Sequence, residues 1–177
     1  PTKELNVICN INELNTSPVK PKYKTIKIKD EYNQDEFNNV FNKYKKVFIT
    51  ADNAGSGKSY VCKKFKPNKT LFICPVNSLV MDIRKENIEA ITTHKLLGLG
   101  IDDDIITKNK YDITDYECIV FDEVALYDIT TLHKIKKFIN ENKNKIFLAT
   151  GDTNQLQSIG DNIYNNINNY KQYKYNA

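Results

Sequence analysis

The chain has 177 residues, of which 40% are hydrophobic and 27% are charged, and its formal net charge at pH 7 is +4. This length supports one domain with a sizeable core, and no apolar run is long enough to span a membrane. The four cysteines form no C-x-x-C pair, and the first residues show no signal-peptide pattern. We therefore expect reduced thiols in an intracellular protein and no cysteine-based metal site.

The first part of the chain contains one predicted strand and one predicted helix. Residues 1–22 are polar and are predicted to form an extended lead-in. Residues 23–29 are predicted to form a short strand, because Ile26 and Ile28 share one face. Residues 33–44 are predicted to form a helix whose apolar side chains recur at helical spacing. These are Phe37, Val40, Phe41 and Tyr44.

Later runs of apolar residues are typical of strands in a parallel sheet. These runs are 47–50, 71–74, 88–91, 118–121 and 146–149. Helical or loop segments separate them, and residues 130–142 form the clearest predicted helix. Because strands alternate with helices, we predict an α/β three-layer sandwich with a mostly parallel central sheet. Residues 98–114 are predicted to be a surface excursion, and residues 161–177 a terminal helix or linker.

A glycine-rich segment follows the first run of this group. It reads Ala51-Asp52-Asn53-Ala54-Gly55-Ser56-Gly57-Lys58-Ser59. Such a loop turns backbone N–H groups towards a phosphate at the positive end of the next helix. Lys58 adds a full charge, and the Ser59 hydroxyl is placed to hold Mg²⁺. Asp52 stands where a glycine is usual, so a plain strand–turn–helix remains the alternative.

Two acidic residues, Asp122 and Glu123, end the run 118–121. The carboxyl ends of parallel strands line the ligand crevice in α/β sheets. We therefore predict that Asp122 meets the Mg²⁺ held by Ser59, and that Glu123 orients and deprotonates an attacking water. Acidic residues after a strand are also common in ordinary loops, and it is the pairing with the phosphate loop that favours catalysis.

A third polar segment, Gly151-Asp152-Thr153-Asn154-Gln155-Leu156, follows the last predicted strand. The amide of Gln155 can donate a hydrogen bond to a terminal phosphate. We therefore predict that Gln155 senses whether that phosphate is present.

Together, these segments resemble the first RecA-like motor domain of a superfamily 1 helicase, of the RecD-like branch or a viral relative. Residues 52–59 resemble the Walker A motif, 121–123 resemble Walker B, and 151–156 resemble the third helicase motif. Residues 92–98 are similar to the T-x-H-x-L-L-G segment of RecD-like members. The resemblance covers residues 32–160, within a predicted ATPase domain at 23–160. Thr153, Gln157 and Ser158 depart from it, at or next to positions where the family usually has proline.

The resemblance implies ATP and Mg²⁺ as ligands. The implied catalytic residues are Lys58, Glu123 and Gln155, and the implied metal ligands are Ser59 and Asp122. The implied nucleotide contacts are Gln34, which would read adenine, with Asn53, Ala54, Gly55, Ser56, Gly57, Lys58, Ser59, Asp122, Gly151 and Asp152. Single-stranded nucleic acid, DNA rather than RNA, is implied to contact Pro75, Asn77, Thr92 and His94.

The sequence contains a single arginine, Arg84, and its position fits no arginine-finger motif. Phosphoryl transfer in such motors needs a cationic finger, which the resemblance assigns to a second RecA-like domain or a partner chain. We expect the chain alone to bind ATP–Mg²⁺, to hydrolyse it slowly and not to unwind duplexes. The expected compartment is the cytoplasm or a host-cell site of replication. Two alternatives remain: a P-loop small-molecule enzyme and a non-catalytic nucleotide-binding interaction module.

Overall fold

A computed structural model describes residues 5–10, 23–28, 33–51, 55–99 and 111–152, with side chains for 33–51, 55–99 and 111–151. Within these ranges the strands are β1 (Leu5–Asn10), β2 (Tyr23–Ile28), β3 (Lys46–Ala51), β4 (Thr70–Cys74), β5 (Ala90–Thr92), β6 (Cys118–Phe121) and β7 (Ile146–Asp152). The helices are α1 (Gln34–Tyr44), α2 (Lys58–Lys63), α3 (Asn77–Arg84), α4 (Thr93–Leu97) and α5 (Ile129–Glu141).

The strands form one sheet in the order β2-β1-β3-β7-β6-β4-β5. From β3 to β5 every neighbouring pair is parallel, whereas β1 pairs antiparallel with both β2 and β3. The predicted α/β sandwich with a mostly parallel sheet is therefore confirmed. The sequence patterns did not indicate that Leu5–Asn10, within the predicted lead-in, would pair inside the sheet. None of the described helices has the length and apolar character that crossing a membrane requires.

Helices cover both faces of the parallel strands. In β4, Phe72 and Cys74 pack into a cluster with α1, α2 and α3, while Leu71 and Ile73 pack into a second cluster with α4 and α5. All five residues of β4 are buried. A strand covered on both faces has no polar side, which explains its continuous apolar sequence.

The two predicted helices that fall within the described residues agree closely with α1 and α5, whereas residues 161–177 lie outside the described residues. The Asn33 side chain accepts hydrogen bonds from the backbone N–H groups of residues 35 and 36, which starts α1 at Gln34. Asp128 caps α5 in the same way by accepting from the N–H of residue 131. The third predicted strand is shifted: β5 begins at Ala90, because Glu89 is exposed and lies beside Arg84 at the amino end of the strand.

Candidate functional site

The loop between β3 and α2 follows the carboxyl end of β3, and the structure describes it from Gly55 onward. Gly55 and Gly57 have φ angles of 70° and 86°, and Gly57 immediately precedes α2. A Cβ atom added at either position would meet nothing within 4 Å. The left-handed backbone, rather than lack of space, therefore requires glycine here.

Lys58, the first residue of α2, is a buried cation. Its side chain is 6% exposed, and its Nζ lies 3.5 Å from the Ser56 Oγ, at the long limit of a hydrogen bond. Among the described residues, no carboxylate forms an ion pair with it. Burial of a charge without a counter-charge is costly. An anion held by the loop would offset that cost.

Three side chains from three different segments converge at Ser59, the residue after Lys58. The Ser59 hydroxyl of α2 donates a hydrogen bond to Asp122 Oδ1 at 2.6 Å. The Thr150 hydroxyl of β7 donates to the same oxygen, also at 2.6 Å. Asp122 is 5% exposed, and its backbone N–H donates to the Ile73 carbonyl oxygen. Asp122 follows β6, which lies two strands from β3, and β7 with Thr150 fills the space between them.

Glu123 lies immediately beyond this cluster. Its φ and ψ are both 51°, a left-handed conformation that is strained for a residue other than glycine. Its backbone N–H donates to the Thr150 Oγ1 at 3.2 Å. A short 3-10 helix, Val124–Leu126, begins directly after it. The left-handed conformation at Glu123 thus marks the change from the direction of β6 to that of the 3-10 helix.

The arrangement fits a magnesium ion and a nucleoside triphosphate. Mg²⁺ in such sites is held by one or two protein oxygens, with phosphates and water completing the shell. Ser59 and Asp122 supply such oxygens, and Lys58 supplies the cation for phosphate. In the part of the chain that the structure describes, no cluster of three or more His, Cys, Asp or Glu side chains could hold a metal on its own.

The end of β7 lies beside the start of the phosphate loop. Gly151 pairs with Thr50 and Asp152 with Ala51. A Cβ atom at Gly151 would lie 3.1 Å from Val124 and 3.2 Å from Phe48, so close packing accounts for this glycine. Asp52, Asn53, Ala54 and Gln155 lie outside the described residues, and their predicted roles stay predictions.

Gln34, the predicted adenine reader, lies against α2. Its Nε2 donates to the Val61 carbonyl oxygen at 3.1 Å and to the Asn38 Oδ1 at 2.8 Å. The side chain therefore lies within one turn of Ser59 along the helix. The first turn of α1 therefore packs against α2, the helix that begins directly after Gly57.

A groove opens at the same edge of the sheet, beyond β4 and β5. Its volume is about 270 Å³, and it is lined by Pro75, Val76, Thr93, His94, Leu126, Tyr127, Asp128 and Thr131. Two of the four residues predicted to contact nucleic acid, Pro75 and His94, therefore lie together. The other two do not line the groove: Asn77 is exposed at the start of α3, and the Thr92 hydroxyl accepts the Lys95 N–H as the cap of α4.

The floor of the groove connects to the segment after Glu123. Tyr127 is 4% exposed, and its hydroxyl lies 2.5 Å from that of Thr93, which also lies 3.3 Å from the Cys74 carbonyl oxygen. Burial raises the pKa of Tyr127, an effect that the Thr93 hydrogen bond opposes. Three residues separate Tyr127 from Glu123, so the groove and the acidic pair share one short segment.

Two residues of this region were not singled out from the sequence. Thr150 directly follows the run 146–149, and its hydroxyl at the carboxyl edge of a strand was the available signal. Tyr127 follows the acidic pair by four positions, and no local pattern marks it. Both act through contacts with residues distant in sequence.

Comparison with known families gives one match. A family model described as an AAA domain matches residues 37–161 of the chain. This range contains the phosphate loop, the acidic pair and the end of β7. No curated protein matches the chain.

Proposed function

The chain belongs to this AAA domain family, a helicase-type family of P-loop nucleotide-binding domains, and we propose that it is the ATP-hydrolysing motor domain of a nucleic-acid helicase. It would translocate on single strands when paired with a second RecA-like domain. The observation that carries the proposal is the buried Lys58 ammonium, which has no described counter-charge and lies beside the Ser59–Asp122 pair. A polyphosphate with its magnesium ion supplies the charge that this site lacks.

Each residue of the site has a role in hydrolysis. Lys58 binds the terminal phosphates of ATP, and Ser59 and Asp122 hold Mg²⁺, which neutralises phosphate charge when bound. Glu123 orients a water molecule and accepts its proton. Gln155 is proposed to report the terminal phosphate, and Gln34 to contact the adenine.

The groove beyond β4 and β5 is the proposed strand-binding surface. Val76 and Leu126 on its walls are 46% and 42% exposed, so the groove presents two apolar side chains to solvent. Every nucleic-acid base has a π-face, so packing of bases against apolar walls would depend little on sequence. His94, Lys95 and the net charge of +4 favour the phosphate backbone, so we expect affinity to fall as salt rises.

We propose that a second RecA-like domain or a partner chain supplies the arginine finger. Arg84 is engaged elsewhere: its Nε donates to the Ala90 carbonyl oxygen at 2.9 Å, at the amino end of β5. The site around Lys58 is at the carboxyl edge, at the other end of the parallel strands. The chain alone is therefore expected to hydrolyse ATP slowly and not to unwind duplexes. Robust unwinding by these 177 residues would contradict this part of the proposal.

The test is single-turnover ATP hydrolysis with and without single-stranded DNA. We expect slow hydrolysis that the strand stimulates and that Lys58→Ala abolishes. Lys64→Ala is the matched control, because it removes an equal charge from an exposed position at the end of α2. Hydrolysis that no strand stimulates would favour a small-molecule enzyme. Nucleotide binding without any hydrolysis, with or without the strand, would favour an interaction module.

A further inference from the structure

We propose that Thr150 is a positioning residue that sets the geometry of both acidic residues at once. This inference rests on the proposed nucleotide site, and it assigns a role to a fully buried side chain. Thr150 would hold the Asp122 carboxylate in its magnesium-binding orientation, and it would hold Glu123 in the bend that directs it towards the attacking water.

The first observation is the position of the hydroxyl. Thr150 is fully buried, and its Oγ1 lies 2.6 Å from the Asp122 Oδ1 and 3.2 Å from the Glu123 backbone nitrogen. The strands beneath are in register, with Phe121 opposite Ala149. The residues that follow them, Asp122 and Thr150, therefore lie side by side at the carboxyl edge of the sheet.

The second observation is the chemistry of a hydroxyl, which has one proton to donate and two lone pairs to accept. The proton of Thr150 goes to Asp122, and a lone pair receives the Glu123 N–H. Ser59 donates to the same Asp122 oxygen. Two donors on one oxygen fix the rotation of the carboxylate and thereby the direction of its second oxygen.

The third observation is the strain at Glu123. A left-handed conformation at φ 51° is unfavourable for glutamate. Such strain persists where the surroundings hold it, and the Thr150 hydroxyl accepts the N–H of the strained residue. Loss of that acceptor would allow Glu123 to relax away from its position beside Asp122.

The experiment compares Thr150→Val, which keeps the shape and removes the hydroxyl, with Thr150→Ser, which keeps the hydroxyl. The readout is binding of a fluorescent non-hydrolysable ATP analogue as Mg²⁺ is titrated. Outer-shell partners of metal ligands typically contribute about 10- to 100-fold to metal affinity or activity. We expect Thr150→Val to raise the Mg²⁺ midpoint by about tenfold and to leave analogue affinity in EDTA unchanged. Thr150→Ser should restore the wild-type midpoint.

An unchanged Mg²⁺ midpoint in a folded Thr150→Val variant would overturn the proposal, as would a Thr150→Ser variant equally impaired. If Thr150→Val does not fold, Thr150→Ala replaces it in the same titration against Thr150→Ser, with the same outcomes. Failure of the wild-type chain to bind the analogue would instead overturn the proposed function. The two failures are therefore distinguishable.

Discussion

The carboxyl edge of the sheet carries two surfaces of opposite character. Around Lys58 and Asp122 the side chains are charged yet only 6% and 5% exposed, whereas Val76 and Leu126 in the groove are apolar yet 46% and 42% exposed. The first surface buries charged residues, which are rarely buried in proteins, and the second exposes apolar ones. The nucleotide side holds charge in a fixed hydrogen-bonded frame, and the groove presents apolar walls that tolerate a changing occupant.

The largest effect is expected on the nucleotide side, from Glu123→Gln. Loss of a general base typically lowers the rate by about 10²- to 10⁴-fold. We expect single-turnover hydrolysis to fall by at least about 100-fold, while binding of a non-hydrolysable ATP analogue is retained. Glu86→Gln, at an exposed ion pair with Lys63, is the matched control. Equal loss in both variants would remove the distinction between this edge and the rest of the surface.

A smaller effect is expected in the groove, from Val76→Asp combined with Leu126→Asp. A carboxylate on each wall of the groove would oppose both the apolar contacts and the phosphates of a strand. We expect affinity for single-stranded DNA to fall by about tenfold, or about 1.4 kcal/mol, as measured by fluorescence anisotropy. Met81→Asp, on an apolar residue of α3 that is 58% exposed and lies outside the groove lining, is the control. Unchanged affinity in the double variant would place the strand elsewhere.

The segment that joins the two surfaces is tested by Tyr127→Phe. The change removes one partner of the buried Thr93 hydroxyl, and leaving a buried polar group unsatisfied costs about 1–3 kcal/mol. Because Thr93 also lies near the Cys74 carbonyl oxygen, we expect a loss at the lower end, about 1 kcal/mol, in denaturant unfolding. A Tyr111→Phe variant, whose hydroxyl is only half-buried, serves as the comparison. Equal stability of the two variants would show that the buried pair contributes nothing.

The smallest effect concerns Cys74, which ends β4 beneath the groove. Burial, with a contribution from the Asp122 charge, raises its pKa from 9.0 to about 12. The unfolded thiol therefore loses its proton first, so this contribution to stability is fully present well below pH 9 and declines as pH rises towards 12. At pH 9 the expected loss is about 0.4 kcal/mol for this thiol. Unfolding curves at pH 7 and pH 9 for wild type and Cys74→Ala measure it, and identical pH dependence in both would contradict it.

Local sequence was sufficient for the nucleotide side, because the residues involved carry their chemistry in short segments. Gly57, Lys58 and Ser59 are contiguous, and Asp122 directly follows an apolar strand. A magnesium ion shared by Ser59 and Asp122 was predicted from the rule that strand ends meet at one edge, and the structure brings these two side chains into direct hydrogen-bond contact. That rule does not require the strand order, so this prediction could be made from the sequence alone.

The remaining features depend on tertiary arrangement. Thr150 reaches Asp122 only because β7 lies between β3 and β6, and no local pattern encodes that order. Leu126 and Tyr127 line the groove because a left-handed Glu123 precedes a 3-10 helix. A glutamate in the sequence does not predict a left-handed backbone. Leu5–Asn10 becomes a strand through pairing with β2 and β3, although it lies in a polar stretch of the sequence.

The central claim is that Lys58 is a buried cation that binds a polyphosphate with its magnesium ion. Isothermal titration calorimetry with a non-hydrolysable ATP analogue and Mg²⁺ tests it most directly, on wild type, Lys58→Ala and Lys64→Ala. We predict Mg²⁺-dependent binding by wild type and Lys64→Ala, and at least about tenfold weaker binding, or 1.4 kcal/mol, by Lys58→Ala. Equal affinity of all three proteins, or no binding by any, would contradict the account.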